Sequence, residues 1–265
     1  MYRSLILIAI VALVGTTAKA ADENAPVLAD YTYQYSANLE QRIADASALA
    51  IQQKKNLMLV FGAQWCHDSR GFAQQLSQPN VDVLIKQFYV PVFIDVATYR
   101  DLRWLTERYN YPGYFATPTV MVIEPVSKQL LNRDNMVLWN TADNVKQETY
   151  LEYFTHYANA ENSRPEISNK QRELLQHVQG FAAQNTARLF AGFARLGPMM
   201  DLAFNDELND FTELTALSEE VYAFRMQLQE DYHRLYALAN DLSLNENIQF
   251  PTYGPFSWEN SAVAN

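Results

Sequence analysis

The chain has 265 residues, 49% apolar and 19% charged, with 20 basic against 30 acidic side chains and a net charge of −10. This is enough apolar material for one or two folded domains, and it excludes both a mainly disordered chain and the bulk basic footprint that nucleic acid binding leaves. Eight glycines are too few for a turn-dense all-β sandwich, and a single cysteine, Cys66, rules out an internal disulfide or a cysteine-rich zinc site.

Residues 1–20 read as a secretory signal. Arg3 supplies the charged start, Leu5 to Val14 the apolar run, and Ala18-Lys19-Ala20 a small-x-small cleavage site. The run is too short to span a bilayer comfortably, and no cysteine at the cut offers a lipid anchor. Cleavage removes Arg3 and Lys19 and takes the charge from −10 to −12. The expectation is an exported protein with no stable membrane insertion after cleavage, in a bacterial periplasm, where a lone free cysteine needs an explanation.

Residues 21–36 read as a loose N-terminal segment. Leu39, Ile43, Ala46, Leu49 and Ala50 fall at helical spacing over 38–53. Asn56 to Phe61 is a short apolar run suited to a buried strand, and it ends in Gly62-Ala63-Gln64-Trp65-Cys66. A helix is predicted over 67–77 and a short one over 80–87. Phe88 to Val96 reads as a strand whose Pro91 fits only near an edge or a strand start. An amphipathic helix is predicted over 98–109, a strand over Pro118 to Ile123, a second strand over 128–132 antiparallel to it, and a helix over 145–158. Alternation of this kind predicts an α/β domain over 37–160 with helices covering a sheet.

Past Ser163-Arg164-Pro165 two runs of apolar residues at helical spacing predict a helical hairpin over 165–245, its first helix ending at Gly197-Pro198. Its apolar stripes are read as packing surface. The tail 246–265, with Phe250, Tyr253, Phe256 and Trp258, is predicted to lie back on the body as an irregular strap.

Trp65-Cys66-His67-Asp68-Ser69 sits where a buried strand turns into a helix. There the unpaired backbone N–H groups and the helix dipole favour a thiolate. An imidazolium at His67 acts in the same direction and Asp68 against it, unless Asp68 caps the helix. The Ser69 hydroxyl, one turn on, either donates to the sulfur or is a small residue tolerated at a tight junction. The pattern is that of an activated sulfur nucleophile. His156, His177 and His233 lie on different elements without ligand spacing, so no metal site is expected.

Over residues 38–158 the chain resembles the thioredoxin superfamily. The matching features are the strand Leu57 to Phe61, Trp65-Cys66-x-x-Ser69, and Ala116-Thr117-Pro118-Thr119 leading into a strand. Trp65-Cys66-His67-Asp68-Ser69-Arg70, with Leu131 to Asp134 and Trp139, is similar to a group of exported bacterial thioredoxin-like proteins. The resemblance implies a thioredoxin-like fold, an α/β mixed sheet flanked by helices. It implies a cis Pro118 facing the sulfur, and a Thr117 backbone that pairs with an extended substrate chain beside Trp65.

The departures narrow the chemistry. Ser69 stands where the second cysteine of CxxC would be, and Val60 where the family has a buried acid. A dithiol reductase or oxidase is therefore excluded. The expected function is monothiol thiol-disulfide exchange: Cys66 forms a mixed disulfide with a protein client, and an external thiol such as glutathione resolves it. No other cofactor is expected. The alternatives are a non-catalytic module whose groove or helical hairpin holds a partner protein, and a glutathione-transferase-like arrangement in which Ser69 or Cys66 faces glutathione.

Overall fold

A computed structural model describes residues 31–160, 167–241 and 248–260; the signal-like segment and the rest of the N-terminal stretch before Tyr31 lie outside the described residues. In chain order the elements are α1 (Leu39–Gln53), β1 (Asn56–Gly62), α2 (His67–Leu76), α3 (Pro79–Phe88), β2 (Tyr89–Asp95), α4 (Arg103–Thr106), β3 (Thr119–Glu124), β4 (Gln129–Leu130), α5 (Gln147–Ala158), α6 (Asn169–Phe204), α7 (Thr212–Asn240) and α8 (Ser257–Asn260). The sheet order is β2-β1-β3-β4. Central β1 runs parallel to β2 and antiparallel to β3, and β4 runs antiparallel to β3. Both faces of the sheet are covered, which is why β1 and β3 read as continuous apolar runs rather than alternating ones. Pro91 lies on β2, at the sheet's edge, where a missing N–H costs no central ladder bond.

The N-terminal segment is not loose from Tyr31 onward. Tyr31 and Tyr33 are buried, and their hydroxyls donate to Asp82 Oδ1 at 2.7 Å and to the Ser69 carbonyl at 3.0 Å. Gln34 bridges Ile94 on the outer side of β2. Aromatic burial and two long-range hydrogen bonds fix a stretch that has no periodicity of its own.

One face of the sheet is covered by α2, α3 and α5. Its centre is Trp139, which lies 5.1 Å from the Phe72 ring, 4.6 Å from Tyr150 and 4.7 Å from Tyr153. Trp139 belongs to two short 3₁₀ turns through Arg133–Asn144, broken at Thr141. Buried Asn132 anchors them: it accepts the Val122 N–H and donates to the Val120 carbonyl and the Tyr153 hydroxyl, each at 2.8 Å.

The other face is covered by α1, by the small α4 and by the hairpin. Phe190, Phe193, Leu228 and Tyr232 join Leu57, Leu59, Phe61 and Met121 in one continuous core that reaches Trp258. The helix expected over 98–109 shrinks to α4 and a 3₁₀ turn at Glu107–Tyr109. Ala97 and Tyr99 take φ of 46° and 69°, a left-handed backbone that an α-helix excludes. Asp101 then accepts the Arg103 N–H at 3.0 Å and starts the short helix.

α6 also departs from expectation, because it does not end at Gly197-Pro198 but continues to Phe204. A proline inside a helix costs about 3 kcal/mol. Contacts beyond it offset that cost: the Thr98 hydroxyl donates to Asp201 at 3.0 Å, and Phe204 lies 6.5 Å from Trp65. Gly197 is needed for close approach rather than for termination, since a Cβ there would lie 2.3 Å from the Thr98 carbonyl oxygen. Arg133 ties the hairpin to the sheet. Its guanidinium donates to the carbonyls of Asn110 (3.0 Å) and Tyr109 (3.3 Å) and to the Tyr232 hydroxyl of α7, and it lies 4.4 Å over the Tyr236 ring.

The described part of the tail packs back on the hairpin. Phe256 lies 4.1 Å from Phe224, Trp258 stacks on Phe256, and Glu259 pairs with Arg188 at 2.5 Å. Among the described residues, no helix is long and apolar enough to cross a membrane.

Candidate active site around Cys66

Cys66 is the residue at which the chain passes from the β1 turn into α2, with an extended backbone (φ −85°, ψ 124°). Its N–H reaches the Ala63 carbonyl at 3.2 Å, closing the turn. The turn lies tight against the N-terminal segment: a Cβ on Gly62 would stand 2.3 Å from the Tyr33 ring and 2.7 Å from Ser69 Oγ. Cys66 is 9% exposed. Its thiol donates to the Thr117 carbonyl at 3.0 Å, and the Thr117–Pro118 peptide bond is cis. Residues 51 positions apart in the chain thus meet at the sulfur. The Thr119 hydroxyl, bonded to the Ala116 carbonyl at 2.7 Å, holds the loop that delivers Thr117.

Trp65 stands beside the cysteine, its indole N–H bonded to the Ala97 carbonyl at 2.8 Å and its ring edge-to-face with Tyr99 at 5.4 Å. Ser69 is fully buried, and its hydroxyl accepts the Ala63 N–H at 3.3 Å. The Ser69 side chain therefore helps to build the turn that carries Cys66. His67 points outward, its ring 3.2 Å from Asp68 and 3.5 Å from Asp143. Burial, together with the facing Asp143 carboxylate, holds the Asp68 carboxyl above its usual range, while the Asp143 N–H and His67 pull it back. Arg70 donates to the Gln64 carbonyl at 2.6 Å.

The ligand atoms of His67, Asp68 and Asp143 lie within 4.8 Å of one another. This is where the described residues could hold a metal ion. His67 contacts both carboxylates, and Asp143, 75 residues from Asp68, could not be paired with it from the sequence.

Two further residues of the site were not legible in the sequence. Tyr99 bridges the Cys66 turn and the hairpin: it lies edge-on to Trp65 and stacks on Phe193 of α6 at 4.2 Å. Its hydroxyl makes no hydrogen bond among the described residues. Burial raises the Tyr99 phenol above its usual range, while Arg225 of α7 opposes the shift and Cys66 adds to it. Arg225 is 126 residues from Tyr99 in the chain, and no local pattern joins them.

Residues 38–125 match the thioredoxin-like family. No curated protein matches the chain. Among solved structures, a disulphide isomerase from Xylella fastidiosa Temecula1 is similar at 22% identity, covering 47% of this chain and 95% of its own, with a TM-score of 0.41. The family match falls on the segment that contributes β1, β2, β3 and the Cys66 turn, and the sheet order and the strand–cysteine–helix junction agree with it. The chain thus carries a thioredoxin-like domain, matched by the family over residues 38–125, and a C-terminal helical region follows it.

Proposed function

We propose that the protein is an exported monothiol thiol-disulfide exchange protein acting on protein clients, with Cys66 as its nucleophile. The observation that carries this reading is the Cys66 thiol facing the Thr117 carbonyl at 3.0 Å, beside Trp65 and at the start of α2. In the exchange the thiol gives its proton to solvent, and the thiolate is the attacking species. The thiolate attacks one sulfur of a client disulfide. The client S–S bond breaks, a Cys66–client disulfide forms, and the departing client thiolate takes up a proton. Loss of the thiol proton frees the Thr117 carbonyl to accept an N–H from the client backbone, with Trp65 and Pro118 flanking the bound chain. Resolution needs a second thiol, because the chain has no other cysteine. A client cysteine or an external thiol such as glutathione attacks the mixed disulfide, returns Cys66 as a thiol and leaves the client reshuffled or carrying the external thiol. In both cases the number of disulfide bonds is unchanged, so no net oxidation occurs. Ser69 and His67 support the turn and its charge balance rather than carrying the electron pair.

The test is mixed-disulfide trapping. The folded protein, incubated at neutral pH with a disulfide-bonded peptide, is expected to gain the peptide mass at Cys66, and Cys66→Ser to gain none while retaining its fold. Absence of any adduct until the protein is unfolded would exclude exchange. It would leave a non-catalytic module that holds a partner.

A further inference from the structure

A cavity of about 430 Å³ opens between α6 and α7, with Tyr99, which contacts Trp65, in its wall. Its wall is apolar, with Leu196, Met200, Val221 and Tyr222, and Tyr99 is shared between this wall and the Cys66 turn. One group in it does not fit an apolar packing role. Arg225 lines the cavity, lies 5.0 Å from the Tyr222 ring centre, makes no ion pair or hydrogen bond among the described residues, and its Nε is buried without a partner. A buried donor left unpaired in a native protein calls for an acceptor. The guanidinium fork matches a carboxylate in two-point geometry. Glu219 also lines the cavity, but it is exposed and does not pair with Arg225.

We infer that the hairpin cavity is a client-recognition site for thiol-disulfide exchange: it takes an apolar side chain from the client segment docked at Cys66, and Arg225 takes the carboxylate of a neighbouring Asp or Glu. This rests on the exchange reading given above. Three observations favour such a segment. The wall is apolar, which suits an aliphatic or aromatic side chain better than a small polar thiol. The unpaired donor is cationic in a chain of net charge −10, so a local attraction is built where the overall field repels acids. The cavity is joined to Trp65 through one ring, so a chain lying beside Cys66 reaches it within a few residues.

The experiment uses the whole folded protein and two peptides, each with one cysteine as its 2-pyridyl disulfide and a nearby leucine, one with glutamate and one with glutamine at the adjoining position. Attack of Cys66 forms the protein–peptide disulfide and releases thiopyridone, whose absorbance gives the rate. The glutamate peptide is expected to react about tenfold faster than its glutamine twin, the size of one charge-assisted contact. Arg225→Gln is expected to collapse that ratio to about one, and Arg225→Lys to restore part of it. Met200→Ala is expected to slow both peptides. A ratio unaffected by Arg225→Gln overturns the inference. So does an Arg225 effect that appears in full with iodoacetamide, which has no client segment, or an equal dependence on Arg225 with glutathione disulfide, which would make a small acidic thiol the occupant. Fluorescence anisotropy of labelled serine-for-cysteine peptides on Cys66→Ser protein reads the cavity without exchange. If neither pyridyl peptide reacts, the exchange reading fails, and the anisotropy ratio between the two peptides alone decides the cavity.

Discussion

On one face of the sheet, Trp139 packs among Phe72, Tyr150, Tyr153 and Phe154, all supplied by elements between α2 and α5. On the opposite face the thioredoxin-like segment supplies α1 and the four-residue α4, and the hairpin, beginning at Asn169, provides the remaining cover. The first face is closed by contacts internal to the domain. The second is closed by a helix pair brought in from far along the chain and fastened by buried Arg133, by hydrogen bonds such as Thr98 to Asp201, and by the close approach of Gly197 to Thr98. The hairpin is therefore part of the core rather than an appended unit. The site is built on the seam: its sulfur belongs to the domain, and the Arg225 cavity beside it to the hairpin.

Removing Trp139 is the largest expected blow. Trp139→Ala empties the centre of the internally closed face and is expected to cost about 3–5 kcal/mol, read by urea denaturation. If the two faces form one cooperative unit, the hairpin melts in the same transition. A hairpin that melts separately and unchanged would mean that it folds without the core of the first face.

Acid is expected to act on the second face. His233 of α7 is half-buried against Tyr111 and Tyr232, within reach of the Arg133 charge. Burial first, and then the Arg133 charge, lower its pKa from 6.5 to about 4. Between those values the unfolded chain binds the proton and the folded one does not. Stability from this group is therefore complete above pH 6.5 and falls as the pH drops toward 4, by up to about 3 kcal/mol. His233→Gln is expected to flatten that part of the stability–pH curve. Hydrogen exchange at pH 5 is expected to show α7 loosening while α2 and α5 stay protected.

A smaller effect sharpens the seam itself. Gly197→Ala sets a methyl group against the Thr98 carbonyl oxygen, a backbone atom that cannot swing away. The expected cost is about 1–3 kcal/mol, with faster amide exchange over residues 96–100 and slower mixed-disulfide formation at Cys66. An unchanged exchange rate there would mean that α6 does not hold the Trp65 loop.

The domain's strands and most of its helices were legible because each depends on a short window. Continuous apolar runs marked β1, β2 and β3, and 3.6-residue spacing marked α1, α6 and α7. The junction at Cys66 was legible for the same reason, as was the meeting of Cys66 with Thr117 and Pro118, which the family resemblance implied. Gly197-Pro198 misled because glycine and proline usually end helices, and here close approach to Thr98 overrode local preference. The loop at 97–101 misled because its amphipathic spacing carried no mark of the left-handed Ala97 and Tyr99. Local chemistry by itself thus determined the α/β domain, the single sulfur and the helix that starts at it. Tertiary structure alone decided which groups surround that sulfur. The outward turn of His67, the burial of Ser69, and the joining of Tyr99 and Arg225 at one cavity depend on packing between segments up to 126 residues apart. No periodicity or spacing in the sequence records a contact at that range.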